Sequence, residues 1–350
     1  MVAVSSLVAT VDRGGRGVLQ AGAYAVAWVG SRAGGAVLPR PTGRRFAAAA
    51  GLTEAEPVSF VEAEAAGLAP IRVAYERRGA GEPVVLLHGL GLNRRTWDAV
   101  VPLLTGAREV IAIDLPGFGQ SPDWPTRLPR DLPTTAAALD AVFTALGVQN
   151  PHVVGHSLGG LIALQLGQAG RARSVTALAP AGFWNEAERR YAFAVLAAAR
   201  RIARTVPDTA AERLSETAVG RAVLAGMLYG DPAQCPPGVV VACLQALRDA
   251  AGFEATLRAG RTPGLFAGQI PSVPVTIAWG TGDRILPQRQ ARRAHAMLPQ
   301  ARLISLPGCG HVPMNDAPER VADIILQATS PTAAALHPTR QTPPTHPSAP

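Results

Sequence analysis

The sequence contains no lysine, and all 33 of its basic residues are arginine. A chain without lysine cannot form a Schiff base with pyridoxal phosphate, cannot supply the lysine of a P-loop, and offers no attachment site for lipoyl or biotinyl groups. Cysteine is also scarce. Cys235, Cys243 and Cys309 are an odd number without C-x-x-C spacing, so neither a disulfide framework nor a zinc site is indicated. A Cys235–Cys243 bridge stays open for an exported protein.

Aromatic residues are few, at 5% of the chain, and the net charge of +8 is unevenly spread. Residues 1–55 carry six arginines against two acids, whereas residues 56–328 carry 26 arginines against 23 acids. No basic stripe with interleaved aromatic residues is present, which is the pattern of a nucleic-acid surface. The sequence therefore predicts no nucleic-acid partner.

Long hydrophobic runs are missing as well. The apolar run at 18–30 has about thirteen residues, fewer than the roughly twenty that span a bilayer, so no membrane span is expected. Arg13 and Arg16 precede this run, which leaves a signal peptide as an alternative to the cytoplasmic location that we predict.

Between residues 57 and 328, short apolar runs typical of strands buried on both faces alternate with helical patterns. This alternation predicts an α/β fold with a doubly wound, mainly parallel sheet, and 57–328 as its domain. The predicted strands are 84–88, 110–114, 152–156, 174–179, 275–279 and 303–306. The predicted helices are 96–104, 134–146, 158–168, 288–298 and 318–327.

Three segments interrupt or flank this alternation. Residues 181–262 have helical patterns at 186–203 and 239–250 without a convincing strand, which predicts an inserted helical cap over the strand ends. Residues 1–56 are expected to be a poorly ordered N-terminal extension. Residues 329–350 are rich in proline and threonine, and we expect a disordered tail there.

The motif G-x-S-x-G at 155–159 directly follows a predicted strand and precedes a predicted helix. A tight turn in this setting holds the serine hydroxyl clear of the sheet, at the positive end of the helix. Ligands of open parallel sheets bind beyond the carboxyl ends of the strands, where this serine lies. Ser157 is therefore the candidate nucleophile.

A serine hydroxyl needs a base to take its proton. Of the seven histidines, His311 lies in a glycine-rich loop between the last predicted strand and the last helix, from which it can reach across the strand ends. The others lie in strand ends, in a helix, beside the serine or in the tail: His88, His152, His156, His295, His337 and His346. His311 is the candidate base.

The base in turn needs a carboxylate that fixes its tautomer. Asp283 follows the predicted strand at 275–279, at the same edge as Ser157, whereas Asp208, Asp231 and Asp249 fall within the insertion. Asp283 is thus the candidate, and the chain order Ser, Asp, His suits this turn chemistry. Two backbone N–H groups should bind the oxyanion, those of Leu158 after the nucleophile and Leu90 after the strand at 84–88.

The motifs together resemble the α/β-hydrolase superfamily, in order and in spacing. They lie at 88–93, 114–121, 155–160, 280–283 and 310–311. The resemblance implies a hydrolase without metal or organic cofactor, and a structural role for the turn at 114–121. Ser157 departs from the dehalogenase and epoxide-hydrolase branches, which have aspartate at that position.

These features predict hydrolysis of carboxylic esters or related acyl substrates through an acyl-Ser157 intermediate, with a small and mostly apolar substrate as the partner. The same triad could open lactones, cleave carbon–carbon bonds, perhydrolyse or transfer acyl groups. A non-catalytic hydrolase fold that binds a ligand is an alternative of another class. The sequence does not fix the oligomeric state.

Overall fold

The structure, a computed structural model, describes residues 58–65, 67–261, 266–270 and 272–330. The predicted extension at 1–56, the export signal within it and nearly all of the predicted tail lie outside the described residues. Those expectations therefore stay predictions.

An eight-stranded sheet forms the centre of the described chain, in the order β1-β2-β4-β3-β5-β6-β7-β8. β1 pairs antiparallel with β2 and β2 with β4, and all other neighbours are parallel. The prediction of a mainly parallel sheet is confirmed. The strands are β1 (Ser59–Ala63), β2 (Ile71–Arg78), β3 (Pro83–Leu87), β4 (Glu109–Ile113), β5 (His152–His156), β6 (Ser174–Leu178), β7 (Val275–Gly280) and β8 (Arg302–Leu306).

The burial of each strand explains whether it could be predicted from the sequence. Every residue of β5, β6 and β7 is buried, because helices cover both faces of the central sheet. β1 and β2 were missed. β1 is a largely exposed edge strand, and β2 alternates buried with exposed positions and ends in charged residues, so neither contains an apolar run.

Helices flank the sheet, and those outside the β6–β7 connection lie close to the predicted ranges. There are two exceptions. The short helix at Pro313–Asp316 was not predicted. The predicted helix at 96–104 is instead a 3₁₀ turn at Arg94–Trp97 and a short helix, α1. Pro102 lacks an N–H group and begins a new helix, so one continuous helix cannot form. The bounds are α1 (Val101–Leu104), α2 (Leu132–Ala145), α3 (Leu158–Gln168), α4 (Glu186–Thr205), α5 (Asp208–Ser215), α6 (Ala218–Ala225), α7 (Pro237–Asp249), α8 (Phe253–Ala259), α9 (Arg289–Met297), α10 (Pro313–Asp316) and α11 (Pro318–Ala328).

Helices α4 to α8 form the connection between β6 and β7, and within its described part the regular structure is helical, including a 3₁₀ turn at Pro232–Gln234. Buried charges fix this insertion. The carboxylate of Glu188 in α4 receives the guanidinium groups of Arg289 and Arg293 from α9. Arg200 donates to the carbonyl oxygens of Leu247 and Ala250 at the end of α7. The insertion is therefore held both to the sheet-flanking helices and within itself.

Candidate active site

Ser157 lies on the sharp turn between β5 and α3. Its backbone has φ 53° and ψ −112°, a conformation that few residues other than glycine adopt. The turn is possible because the motif's glycines leave room: a Cβ on Gly159 would overlap the carbonyl oxygen of Leu87, and one on Gly155 that of Gly159. The serine is half-buried, at the N-terminus of α3. Local sterics thus account for the G-x-S-x-G spacing.

Ser157 faces a cavity of about 430 Å³. This volume falls within the usual range for small-molecule sites. The described charged residues among its lining are Arg130 and Asp131. Its apolar lining residues come from the strand-end loops, α3 and the insertion, and include Leu90, Phe118, Trp124, Leu158, Leu161, Trp184, Phe193, Leu196, Leu257 and Ile285.

The structure brings Asp283 and His311 together. His311 Nδ1 lies 2.8 Å from Asp283 Oδ2, and both side chains are buried. The other carboxylate oxygen, Oδ1, accepts the N–H groups of Ile285 at 2.9 Å and Leu286 at 2.8 Å. The carboxylate therefore accepts a hydrogen bond from Nδ1–H, which leaves Nε2 of His311 without hydrogen and able to act as an acceptor.

His311 lies beside the nucleophile's strand. The rings of His156 and His311 are 4.8 Å apart between centroids, and His156 immediately precedes Ser157. Within the described ranges, Ser157 Oγ forms no hydrogen bond with His311. In active sites without substrate such bonds are often long and tighten when the substrate binds.

A second carboxylate holds the loop that carries His311. Asp316 accepts the N–H of Gly310 at 2.7 Å and the N–H of Gly230, from the insertion, at 3.0 Å. Asp316 could not be predicted from the sequence, because nothing in its local pattern distinguishes it from an ordinary helix-end aspartate. Its contacts tie the His311 loop to the insertion.

The two predicted oxyanion donors flank Ser157. Leu158 is the first residue of α3, where a backbone N–H has no intrahelical acceptor. Gly89 lies so close that a Cβ on it would fall 3.2 Å from the Cβ of Ser157, and Leu90 follows directly. His88 positions this loop: its Nε2 accepts from Leu115 N–H at 2.9 Å, so its Nδ1 donates to the carbonyl oxygen of Gly89 at 2.8 Å.

The remaining polar candidates near the strand ends are occupied or inert. Arg94 is buried between Asp114 and Glu76, at 2.5 and 2.9 Å, and its pairing with Asp114 holds the turn predicted at 114–121. Cys309 lies close to His311, but burial raises the pKa of its thiol to about 12, as it does for Cys235. These thiols stay protonated and are poor nucleophiles. All three cysteines are free in this structure.

A second serine–histidine–carboxylate set lies at the opposite edge of the sheet. His152 Nδ1 is 2.7 Å from Ser174 Oγ, and His152 Nε2 is 3.5 Å from Glu82. Ser174 and His152 are the first residues of β6 and β5, so they lie at the amino ends of parallel strands. Ser174 is buried and does not line the 430 Å³ cavity. This set is a structural contact, and Ser174 provides a matched control for Ser157.

The buried histidines give the fold an acid sensitivity. Burial lowers the pKa of His88, and lowers that of His156 well below the ordinary value of 6.5. As the pH falls below about 6.5 the unfolded chain takes up protons that the folded chain refuses. Stability should therefore fall by about 1.4 kcal/mol per pH unit for each histidine, until the folded-state pKa is reached. Melting at graded pH should show that stability depends less steeply on pH in His156→Gln than in the wild type. Equal slopes in wild type and His156→Gln would contradict this.

The described ranges show neither a membrane-spanning helix nor a metal-binding cluster. None of their helices combines the length and the apolar composition needed to cross a bilayer. Nor do they contain a group of three or more histidine, cysteine, aspartate or glutamate side chains arranged to hold a metal ion.

The chain is similar to known proteins in sequence and in fold. The model of the alpha/beta hydrolase family matches residues 84–324. An uncharacterised protein of Mycobacterium tuberculosis is 31% identical over 271 residues, which cover 73% of this chain and 77% of that protein.

Two solved structures share the fold. An esterase from Thermogutta terrifontis is 23% identical with a TM-score of 0.60, covering 81% of this chain and 100% of the esterase. A meta-cleavage product hydrolase from Pseudomonas fluorescens is 19% identical with a TM-score of 0.59, covering 76% of this chain and 96% of that one. Because the family model matches residues 84–324, more than half of the chain, the chain belongs to the alpha/beta hydrolase family.

Proposed function

We propose that the protein is a serine hydrolase that cleaves carboxylic esters, with Ser157 as nucleophile, His311 as base and Asp283 as the partner of the base. The observation that carries the proposal is the arrangement at one sheet edge. Ser157 lies in a turn with positive φ and lines an apolar cavity. His311, hydrogen-bonded to the buried carboxylate of Asp283, lies beside the strand that precedes Ser157. This combination supports acyl transfer better than any other polar cluster in the described residues.

In the first half of the reaction, Ser157 Oγ attacks the ester carbonyl carbon and His311 Nε2 takes the hydroxyl proton. The carbonyl oxygen becomes an oxyanion that the N–H groups of Leu90 and Leu158 bind. One such donor is worth about 3–4 kcal/mol in the transition state. Collapse of the tetrahedral intermediate breaks the ester C–O bond, and His311 returns the proton to the leaving alcohol. The product of this half is an acyl-Ser157 ester.

In the second half, water attacks the acyl-serine and His311 Nε2 takes a proton from that water. The second tetrahedral intermediate uses the same two N–H donors. Its collapse releases the carboxylic acid and returns the proton to Ser157 Oγ. Asp283 stays ionised throughout and stabilises the imidazolium that forms twice in each turnover. The cycle is complete with side chains and water, so the proposal assigns no metal or organic cofactor.

The cavity supports an apolar acyl group as the part of the substrate that is recognised. The insertion contributes Trp184, Phe193, Leu196 and Leu257 to its wall. We therefore assign residues 181–262 the role of a cap that sets acyl-chain preference. We also propose that the protein is cytoplasmic.

Carbon–carbon bond hydrolysis is the nearest alternative, and a fold neighbour is a meta-cleavage product hydrolase. That reaction must protonate a leaving carbanion, which requires a polar group over the substrate. No histidine is among the described residues that line the cavity. Of the charged lining residues, Arg130 already pairs with Asp123 at 2.5 Å, and Asp131 caps helix α2. The apolar lining favours an ester.

The experiment compares steady-state kcat/KM for p-nitrophenyl esters of graded acyl length with that for vinylogous diketones. Measurable hydrolysis of short- to medium-chain esters is expected, with diketones poor by comparison, because the described cavity lining adds no histidine to His311 that could protonate a carbanion. A diketone value far above the best ester value would contradict ester hydrolysis while leaving the triad intact. The same panel tests the other reactions of this triad with lactones, with peroxide and with acceptor alcohols. If none of these substrates is turned over, a ligand-binding role is favoured.

The cap's role is tested within the same panel. Phe193→Ala removes an aromatic ring from the wall and enlarges the cavity. The variant should therefore prefer esters with a longer acyl chain than the wild type does. Ile202→Ala is the matched control, since Ile202 lies on the same helix with 51% of its surface exposed. An identical chain-length profile for wild type and Phe193→Ala would contradict the assignment of the cap.

A further inference from the structure

His156 links the nucleophile's strand to the loop of the base. Its Nε2 lies 2.7 Å from the main-chain carbonyl oxygen of His311. Since a carbonyl oxygen can only accept, the imidazole Nε2 must carry the hydrogen. The side chain is fully buried and directly precedes Ser157 at the end of β5. One residue therefore connects the segments that carry the two reacting side chains.

The sheet topology shows why such a link matters. Ser157 follows β5, and His311 lies in the loop after β8, with β6 and β7 between those strands. The His311 loop must extend over two strand ends to reach the serine. Its main-chain position decides where the imidazole lies, and a displacement of about 1 Å at a reacting group can cost about 100-fold in rate.

The other edge of the His156 ring backs the oxyanion loop. A Cβ on Gly89 would fall 2.8 Å from His156 Nδ1 and 3.1 Å from Cε1. His156 Nδ1 is buried and has no hydrogen-bond partner in the part of the chain that the structure describes. The fixed proton is therefore on Nε2, and burial, followed by the neighbouring His311, lowers the pKa of His156 and keeps the ring neutral.

We infer that His156 is a positioning residue: its Nε2–H holds the main chain of His311 in place beside the strand that carries Ser157, while its ring supports Gly89 of the oxyanion loop. This inference rests on the proposed function. His156 does not touch the substrate and does not exchange a proton in the reaction. It acts by fixing where two loops lie relative to the nucleophile.

The test compares two substitutions of similar size. His156→Leu removes the donor, and His156→Gln retains an amide N–H at nearly the same position. We expect His156→Leu to lower kcat by about 10- to 100-fold with KM changed by less than about 2-fold, since the cavity that binds the acyl group is untouched. His156→Gln should recover most of the lost kcat. Equal loss in both variants, or a loss in KM alone, would overturn the inference.

His152→Leu is the matched control, because His152 is buried at the other end of the same strand. Its kcat per folded molecule should equal that of wild type, with folded molecules counted by circular dichroism. A loss in His152→Leu equal to that in His156→Leu would reduce the role of His156 to general packing and overturn the inference.

A measurement on the wild-type chain does not depend on any variant folding. Nitrogen NMR of histidine-labelled protein should find His156 neutral with its proton on Nε2 at pH 7. A proton on Nδ1, or a charged ring, would overturn the inference. Failure of the proposed function has a different signature: Ser157→Ala would then retain turnover. If Ser157→Ala is inactive and His156→Leu has wild-type kcat, the positioning role alone is refuted.

Discussion

Ser157→Ala should fold like the wild type and lose at least about three orders of magnitude in turnover. The substitution removes the oxygen that forms the acyl intermediate, whereas the cavity, the oxyanion donors and the Asp283–His311 pair remain. Alanine has the same backbone preferences as serine, so the turn at φ 53° gains no new strain. Steady-state kinetics on the best p-nitrophenyl ester, with melting temperatures for both proteins, check this result.

Ser174→Ala is the control for this experiment. Ser174 forms a hydrogen bond with a histidine, His152, but it lies at the amino ends of the strands and away from the cavity. Losing one buried hydrogen bond should cost on the order of 1 kcal/mol of stability and leave kcat unchanged. Turnover in Ser157→Ala within about ten-fold of wild type would contradict the assignment of the nucleophile.

Asp283→Asn should lower kcat by about three to four orders of magnitude while leaving KM roughly unchanged. The N–H groups of Ile285 and Leu286 point at Oδ1, so the asparagine must place its oxygen there and its NH₂ group at the position of Oδ2. That NH₂ group donates to His311 Nδ1, which forces the imidazole proton onto Nε2. A histidine protonated on Nε2 cannot accept the proton of Ser157.

Asp208→Asn and Asp231→Asn are the controls, since both carboxylates lie in the insertion and are exposed. Both variants should keep wild-type kcat. Near-wild-type activity in Asp283→Asn, with a large loss in either control, would show that the carboxylate partner of His311 lies in the insertion and is not Asp283.

The sequence predicted the parts of the fold that depend on continuous burial. Strands β3 to β7 are visible as apolar runs because helices cover both faces of the sheet there. The edge strand β8 is half exposed, yet its leucines and isoleucine still form a recognisable run. The antiparallel edge of β1 and β2 was not visible, since one face of each strand meets solvent and β2 carries Arg72, Glu76, Arg77 and Arg78. The prediction of one helix at 96–104 was wrong, because it followed the helical pattern of apolar residues and did not allow for the helix break at Pro102.

For the site, chain order and local context were sufficient to nominate Ser157, Asp283 and His311. The structure adds a 2.8 Å contact between the last two, which spacing alone could not give. The roles of His156 and Asp316 could not be predicted. Each role depends on a hydrogen bond to a main-chain atom, which for His156 lies 155 residues away in the chain. Every residue type has the same main-chain atoms, so the sequence at the partner position does not reveal such a bond.

The central claim, an acyl intermediate on Ser157, is tested most directly by mass spectrometry of the wild-type protein after reaction with a fluorophosphonate. One adduct per chain should form, on the peptide that contains Ser157, in step with the loss of esterase activity. Prior occupation of the cavity by a slow ester should protect that peptide. An adduct on another serine, such as Ser174, or complete loss of activity with Ser157 unmodified would contradict the account.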